Sequence, residues 1–341
     1  MFPRKAVPCF PCFHCVTFTP EDLSLVEGGP ERRRTFLDLC SAQLHAPMLG
    51  LVRRYQLALQ QRNAVLKQRL PEAQAAGLLE IWDRQLEQLG TEIAVQRGIY
   101  VRRLAEVCVP LYAQIARGTG NCFPSLSVQR VRKSAQDTLP ETRTPELVQQ
   151  YGEKMRQSRS SDLLLGHTAS GAHRDDLLLA IDGKPAKEFG SQGQKKSLAL
   201  ALKLAQAEIY SKRRKESPVV LLDDVMGELD EARQAVVSTI VQEMQVFVTT
   251  CHPESLLSPK NGKRFLLKDG MLTGDVENSS RNCLKFRFPQ TVENIVENLF
   301  EAVKKRNTRR IFVDSTEVCR KKKSFEIQTT PASAGNRGNQ I

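Results

Sequence analysis

Val219, Val220, Leu221 and Leu222 follow one another without a polar break, enter through Pro218, and end at Asp223 and Asp224. A strand that is apolar on both faces must be covered on both, as in a parallel sheet flanked by helices. Functional side chains then belong at its carboxyl end, where open α/β sheets place ligands. Two neighbouring carboxylates there can divide a task, one holding Mg²⁺ while the other orients or deprotonates a water. The plainer reading of the same pair is a solvated acidic turn, and the neighbouring segments decide between them. Val236, Val237, Ile240, Val241 and Met244 recur at helical spacing, and "VFV" at 246–248 follows as a strand. The result is a strand, helix, strand crossover of the parallel, right-handed kind.

Upstream, "FGSQGQKKSLALALKLAQAEI" at 189–209 opens with turn residues and continues in strong helix formers. Ser191 and Gln194 have the spacing of a capping box. Gly190 and Gly193 permit close approach of the backbone, and a helix amino terminus attracts anions. Lys195 and Lys196 bring positive charge to the first turn, which the helix dipole disfavours unless an anion compensates. The pattern therefore predicts an anion site at the start of a helix whose buried face holds Leu198, Leu202, Ala205 and Ile209.

Between about 41 and 110 the apolar period becomes heptad-like. Met48, Val52, Tyr55, Leu59, Leu66 and Leu70 form one stripe, and Leu79, Trp82, Leu86, Leu89, Ile93, Tyr100 and Leu104 another. Steps of three and four predict two helices with narrow apolar seams, broken between Pro71 and Gly77 and folded into an antiparallel coiled-coil hairpin. "RGTGNCFPS" reads as a loop, and "PELVQQYGEKMRQSRSSDLLLG" as a helix returning to the sheet. "HRDD" at 173–176 opens a strand pair whose turn is "DGKP". No nucleophile or metal triad accompanies it, so structural ion pairing is the expectation.

In this order, "GAHRDDLLLAIDGK", "FGSQGQ", "LLDDVMGELD" and "VTT" resemble the carboxyl-terminal half of the ATPase head of the SMC-like ABC family, and within it the RecF-like DNA repair proteins. The resemblance covers about residues 16 to 278 and rests on four ordered motifs. It implies an α/β fold: a partial ABC-type head, mostly parallel sheet with helices, plus a helical lobe II that carries the coiled-coil arm. Lobe II is expected over 16–160 and the head part over 161–278, with 1–15 and 279–341 unplaced. It implies Asp223 as the Walker B magnesium ligand and Asp224 as the carboxylate that polarises the attacking water. Ser191, Gln192, Gly193 and Gln194 would form the signature loop on the γ-phosphate of ATP held by a second subunit. Asp230 would stand in the D-loop, and Thr249 or Thr250 at the switch position, with His252 a loop histidine. The implied cofactors are ATP and Mg²⁺. The implied partners are DNA bound without regard to sequence, single-stranded, gapped or linear duplex, a second copy joined through ATP, and other recombination mediators. DNA contacts would come from Arg32, Arg33, Arg34, Arg53, Arg54 and Arg174.

Such heads also carry a Walker A loop, G-x-x-x-x-G-K-[ST], which cradles the phosphates. This sequence has none: its Gly-Lys pairs, "IDGKPA" and "NGKRF", lack both the upstream glycine and the following Ser or Thr. The resemblance thus implies a member lacking its amino-terminal part, and a family activity, weak DNA-dependent ATP hydrolysis, whose cradle is missing here. Two other readings stay open. One is a non-hydrolysing DNA-binding or partner-binding fragment, the other a regulatory subunit whose signature loop caps nucleotide held by a complete partner.

The net charge of +12 decides little, because residues 281 to 341 hold 13 Lys or Arg against 6 Asp or Glu, so +7 of it lies in that tail. Basic residues support nucleic-acid contact only where they cluster; groups stand at 32–34, 53–54, 102–103, 130–133 and 212–215. Nine cysteines without an export signal suggest a reducing cytoplasm. Cys9, Cys12 and Cys15 have metal-ligand spacing, but no partner cysteine is evident. No apolar run approaches membrane-spanning length.

Overall fold

The computed structural model describes residues 15–117, 126–131, 142–214, 217–241, 244–250, 263–268, 271–273 and 310–314. The amino-terminal cysteines Cys9 and Cys12, residues 118–125, Arg132, Lys133, Lys215, His252 and the tail apart from 310–314 lie outside them. Two compact units divide the chain, one up to Phe247 and one from Val248.

In the first unit, strand β1 (Cys15–Phe18) runs parallel to β5 (Val219–Asp223), with Cys15 opposite Val219 and Phe18 opposite Leu222. β6 (Gln245–Thr250), which begins in this unit, is the next strand on the other side of β5. The apolar run at 219–222 is therefore a strand with neighbours on both edges, and Val219, Val220 and Leu222 are buried. Nothing in the sequence reading assigned β1: four residues of mixed pattern carry no period of their own, and pairing makes them a strand. Helix α9 (Glu231–Ile240) links β5 to β6, with Val237 and Val241 buried as its spacing implies.

The helical part begins with the short α1 (Ser24–Glu27) and α2 (Pro30–Leu44). Helices α3 (Met48–Lys67) and α4 (Glu72–Arg117) then form an antiparallel hairpin. Val65 and Leu66 at the end of α3 pack with Ala75 and Leu79 at the start of α4, while Met48, Val52 and Tyr55 pack with Leu86 and Ile93 further along it. The break falls at 68–71, where Arg69 takes a left-handed φ of 52° and Pro71 follows. Gly77, expected at the break, lies inside α4, whose 46 residues make a rod about 69 Å long. Strand β2 (Leu126–Val131) comes next. The returning segment is two helices, α5 (Pro145–Gln157) and α6 (Arg159–Leu165), jointed at Ser158.

A second sheet is antiparallel: β2 pairs with β3 (Asp176–Ile181), which pairs with β4 (Lys184–Pro185) across a two-residue Asp182-Gly183 turn. Both turn residues have positive φ, 51° and 73°, as the twist of a tight hairpin requires. α7 (Ala186–Phe189) follows, and then α8 (Gln192–Arg214), buried along most of its middle from Ser197 to Tyr210 and packed along α4.

Arginines fasten the helical part to the sheets. Arg62 of α3 is wholly buried and bonds Asp83 at 2.6 Å, Asp162 at 2.7 Å and Thr168 at 2.8 Å. Arg97 of α4 bonds both carboxylate oxygens of Asp38, the carbonyl of Ala172, and Asp175. Charge at these core-facing heptad positions is only tolerable because every arginine meets carboxylates.

In the second unit, β7 (Lys263–Lys268) pairs antiparallel with β8 (Met271–Thr273) and parallel with β9 (Arg310–Asp314). Among the described residues no helix is long and apolar enough to cross a membrane.

Candidate functional site

The loop before α8 is built around two glycines. A Cβ on Gly190 would fall 2.6 Å from the Ala186 carbonyl oxygen, so the turn out of α7 accepts only glycine without shifting. Ser191 and Gln194 then close the reciprocal box: the Gln194 amide donates to Ser191 Oγ at 3.2 Å, and the Ser191 amide to Gln194 Oε1 at 2.8 Å. Ser197 Oγ donates to the Gly193 carbonyl at 2.8 Å and stiffens the first turn. Ser191 and Gln192 are exposed, whereas Gly193 and Gln194 are partly buried.

At the end of β5, Asp224 takes a φ of 54°. Side chains other than glycine adopt this left-handed conformation rarely, aspartate and asparagine most readily, and such outliers gather at functional sites. The chain leaves the strand abruptly there, and Asp223 and Asp224 both stay half-buried while Val225 and Met226 turn inward. Gln234 is 2% exposed and donates to the carbonyls of Met226 at 2.9 Å and Leu229 at 3.1 Å, which holds this turn onto α9. Asp230 caps α9, accepting from the Arg233 amide at 2.9 Å and from Arg233 Nη1 at 2.8 Å.

These two loops meet. A Cβ on Gly193 would lie 3.2 Å from Arg233 Nη2, so the guanidinium that grips Asp230 also lies over the glycine of the α8 loop. Beneath them, Lys196 and Ala199 of α8 share a cavity of about 30 Å³ with Phe18, Thr19, Pro20, Leu23, Val225 and Leu229. The end of β1, the α8 loop and the turn after Asp224 therefore converge. Arg233 is the participant that sequence reasoning missed; its place three residues after the capping Asp230 was the available signal. Thr249 is partly buried and Thr250 buried on β6.

Two of the charged residues singled out in the sequence find partners within the chain. Lys195, predicted to await an anion from outside, is met from within the chain: its Nζ lies 3.3 Å from Glu27 Oε1, which also accepts from Gln192 Nε2 at 3.2 Å. Arg33, expected at DNA, is 8% exposed and forks onto both oxygens of Asp176 at 2.8 and 2.9 Å, with Nη1 on the Gly28 carbonyl. Its planar fork is spent on a partly buried carboxylate, so it serves the fold. Arg34 is partly buried and gives Nη1 to the Asp175 carbonyl at 2.8 Å. Arg32, Arg53, Arg54 and Arg174 are exposed. The ion pairing expected for "HRDD" is present, through Asp175 with Arg97 and Asp176 with Arg33. The pKa of His173, at the head of the same run, is pushed down to about 4, chiefly by burial, with Arg174 and Arg34 nearby adding to the effect.

No protein-family model matches the chain. It is 38% identical over 251 residues to the DNA replication and repair protein RecF of Heliobacterium modesticaldum, covering 73% of this chain but 65% of that protein. Against the protein of the same name from Bacillus cytotoxicus it is 34% identical over 265 residues, covering 77% of this chain and 69% of the relative. Among solved structures, the recombination mediator protein RecF-ATPrS in the RecFOR pathway superposes with a TM-score of 0.65 at 28% identity, over 78% of this chain and 68% of that one. At 34% identity over more than two thirds of the Bacillus cytotoxicus protein, the chain belongs to the RecF family.

Proposed function

We propose that this chain works in DNA replication and repair as the signature-bearing part of a RecF-type ABC ATPase, which meets ATP across a dimer interface and holds DNA through its phosphates. The observation that carries this reading is the seat of Arg233 on Gly193 while it grips Asp230. It presents the signature loop, Ser191, Gln192, Gly193 and Gln194, and the D-loop Asp230 as one surface of the kind that caps a nucleotide held by a second head. Asp223 and Asp224 take the Walker B roles, metal ligand and water-polarising carboxylate. No cluster of three metal-type side chains exists among the described residues. A Mg²⁺ at Asp223 would therefore take its remaining ligands from phosphate oxygens and water, as this ion commonly does. Thr249 or Thr250 supplies the switch position. Lobe II, 16–160, carries the arm and the head part, 161–278, the motifs. Exposed Arg32, Arg53, Arg54 and Arg174 offer phosphate contacts that read no sequence. Further recombination mediators are proposed as partners, because the similar solved structure is of a mediator in the RecFOR pathway.

In this reading the signature loop and Asp230 meet ATP in trans, its phosphates held by the G-x-x-x-x-G-K-[ST] cradle of a second head. Sedimentation of the full chain with a complete RecF-family head tests this. Association should require Mg²⁺ and ATP together and be lost in Ser191→Arg, whose long cation fills the place of the γ-phosphate. Association indifferent to nucleotide would overturn the ATP-capping role, and DNA binding equally indifferent to it would leave a non-hydrolysing DNA-binding fragment in its place.

A further inference from the structure

A helix that begins Gln-Gly-Gln-Lys-Lys puts two cations at its positive end, and the structure shows how the first of them is settled. Glu27, the last residue of α1, takes up the donors that line the start of α8, Gln192 Nε2 at 3.2 Å and Lys195 Nζ at 3.3 Å, although 168 residues separate it from Lys195. Both sides of this clasp are held in place. Behind Glu27, a Cβ on Gly28 would fall 2.3 Å from the Ser24 carbonyl oxygen, and the Gly28 carbonyl accepts from Arg33 Nη1 at 2.9 Å. Arg33 in turn is anchored on Asp176. Across from it, the Lys195 side chain is only 12% exposed, and its Cγ would lie 3.3 Å from a Cβ on Gly190, so its stem lies over the loop glycine.

We propose that Glu27 is an internal counter-ion for the signature loop, which holds Gln192 and Lys195 in the orientation that phosphate needs and is exchanged for phosphate when nucleotide docks. This rests on the reading of 191–194 as the nucleotide-capping loop, and it adds a positioning residue to that site. The exchange is physically cheap in one direction. Glu27 is 37% exposed, and ion pairs that reach solvent are weak. A polyphosphate brings more negative charge and more acceptor oxygens to the same donors, at a helix end that favours them. Glu27 thus lowers the affinity of the loop for anions while keeping its donors ordered. A residue with a purely architectural role would behave oppositely, because its loss would only weaken the loop.

The test uses the full chain, with Glu27→Gln, Glu27→Asp and the double variant Glu27→Gln with Lys195→Gln, titrated with pyrophosphate and with Mg²⁺-ATP. Amide exchange over residues 189–198 is the readout, and urea unfolding checks that each variant folds. Glu27→Gln should bind both anions more tightly by about two- to fivefold, the size of one exposed ion pair. Glu27→Asp, whose shorter arm reaches less well, should fall between, and the double variant should lose the gain. Equal or weaker anion protection in Glu27→Gln overturns the proposal. A gain with pyrophosphate that ATP does not exceed, without nucleotide-dependent association with a complete head, keeps the counter-ion role and removes the ATP reading.

Discussion

His173 shows how one side chain can record its surroundings in the stability of the whole protein. Its Nε2 donates to the Thr168 carbonyl at 3.0 Å, and its Nδ1 lies 2.9 Å from the Tyr55 hydroxyl, which donates to it when the ring is neutral. Burial depresses its pKa from 6.5 to about 4. Between those values the unfolded chain binds a proton that the folded one refuses, so stability is fully present above pH 6.5 and drains as pH falls toward 4. The loss should reach about 3 kcal/mol from this group alone. Urea unfolding at pH 7, 6 and 5 should show the decline in the native chain and a flatter profile in His173→Asn. The sequence marked "HRDD" as a place of ion pairing, and that much was legible, because arginine next to aspartates has few other uses in a strand entrance. What could not be read was which arginines answer. Arg33 and Arg97 lie far away in sequence, and Arg33 looked like any member of the exposed basic group at 32–34. Only tertiary contact separates the buried member of such a run from its solvated neighbours.

Among the elements, those with a strong period were the most legible. The seams of α3 and α4 follow heptad steps, and both helices form. Their boundary was misread at Gly77, since glycine weakens a helix without ending one, whereas Pro71 and the left-handed Arg69 do end it. Gly77 is exposed inside α4, and a Cβ there would meet nothing within 4 Å. Gly77→Ala should therefore stabilise the protein by about 0.5–1 kcal/mol, read as a raised urea midpoint at unchanged slope. The capped start of α8 was legible for a different reason: capping chemistry is local, and Ser191 and Gln194 need no distant partner to declare it. Glu27 and Arg233, which complete that loop, come from α1 and α9, and no local pattern links them to it.

For the molecule as a whole, the split between architectural and exposed arginines makes a prediction about DNA. Phosphate contacts release counterions, so log affinity should fall linearly with log salt. Arg174→Ala and Arg32→Ala should each weaken binding across unrelated sequences and reduce the salt slope by about 1. Arg33→Ala should lower the unfolding midpoint instead, because Asp176 loses both its bonds to that guanidinium and keeps the Leu177 amide. Fluorescence anisotropy across a salt series separates the two outcomes, and equal slopes in all three variants would remove these arginines from the DNA surface. α4 runs from the tip of the helical hairpin to the neighbourhood of Arg233. Its start packs at the tip of the helical hairpin through Ala75 and Leu79, and near its other end Tyr112 is buried, its hydroxyl pushed up to about 12 by burial, with Asp182 and Arg233 close by. Pro110 sits inside the rod just before Tyr112 and leaves one carbonyl of the preceding turn without its helical donor. Proline is where a helix bends most readily, and roughly 57 Å of this helix lies on its amino-terminal side. By leverage alone, a bend of about 5° at Pro110 carries the far tip by about 5 Å, so an ångström-scale adjustment beside Arg233 becomes, at the other end, a displacement larger than a hydrogen bond is long.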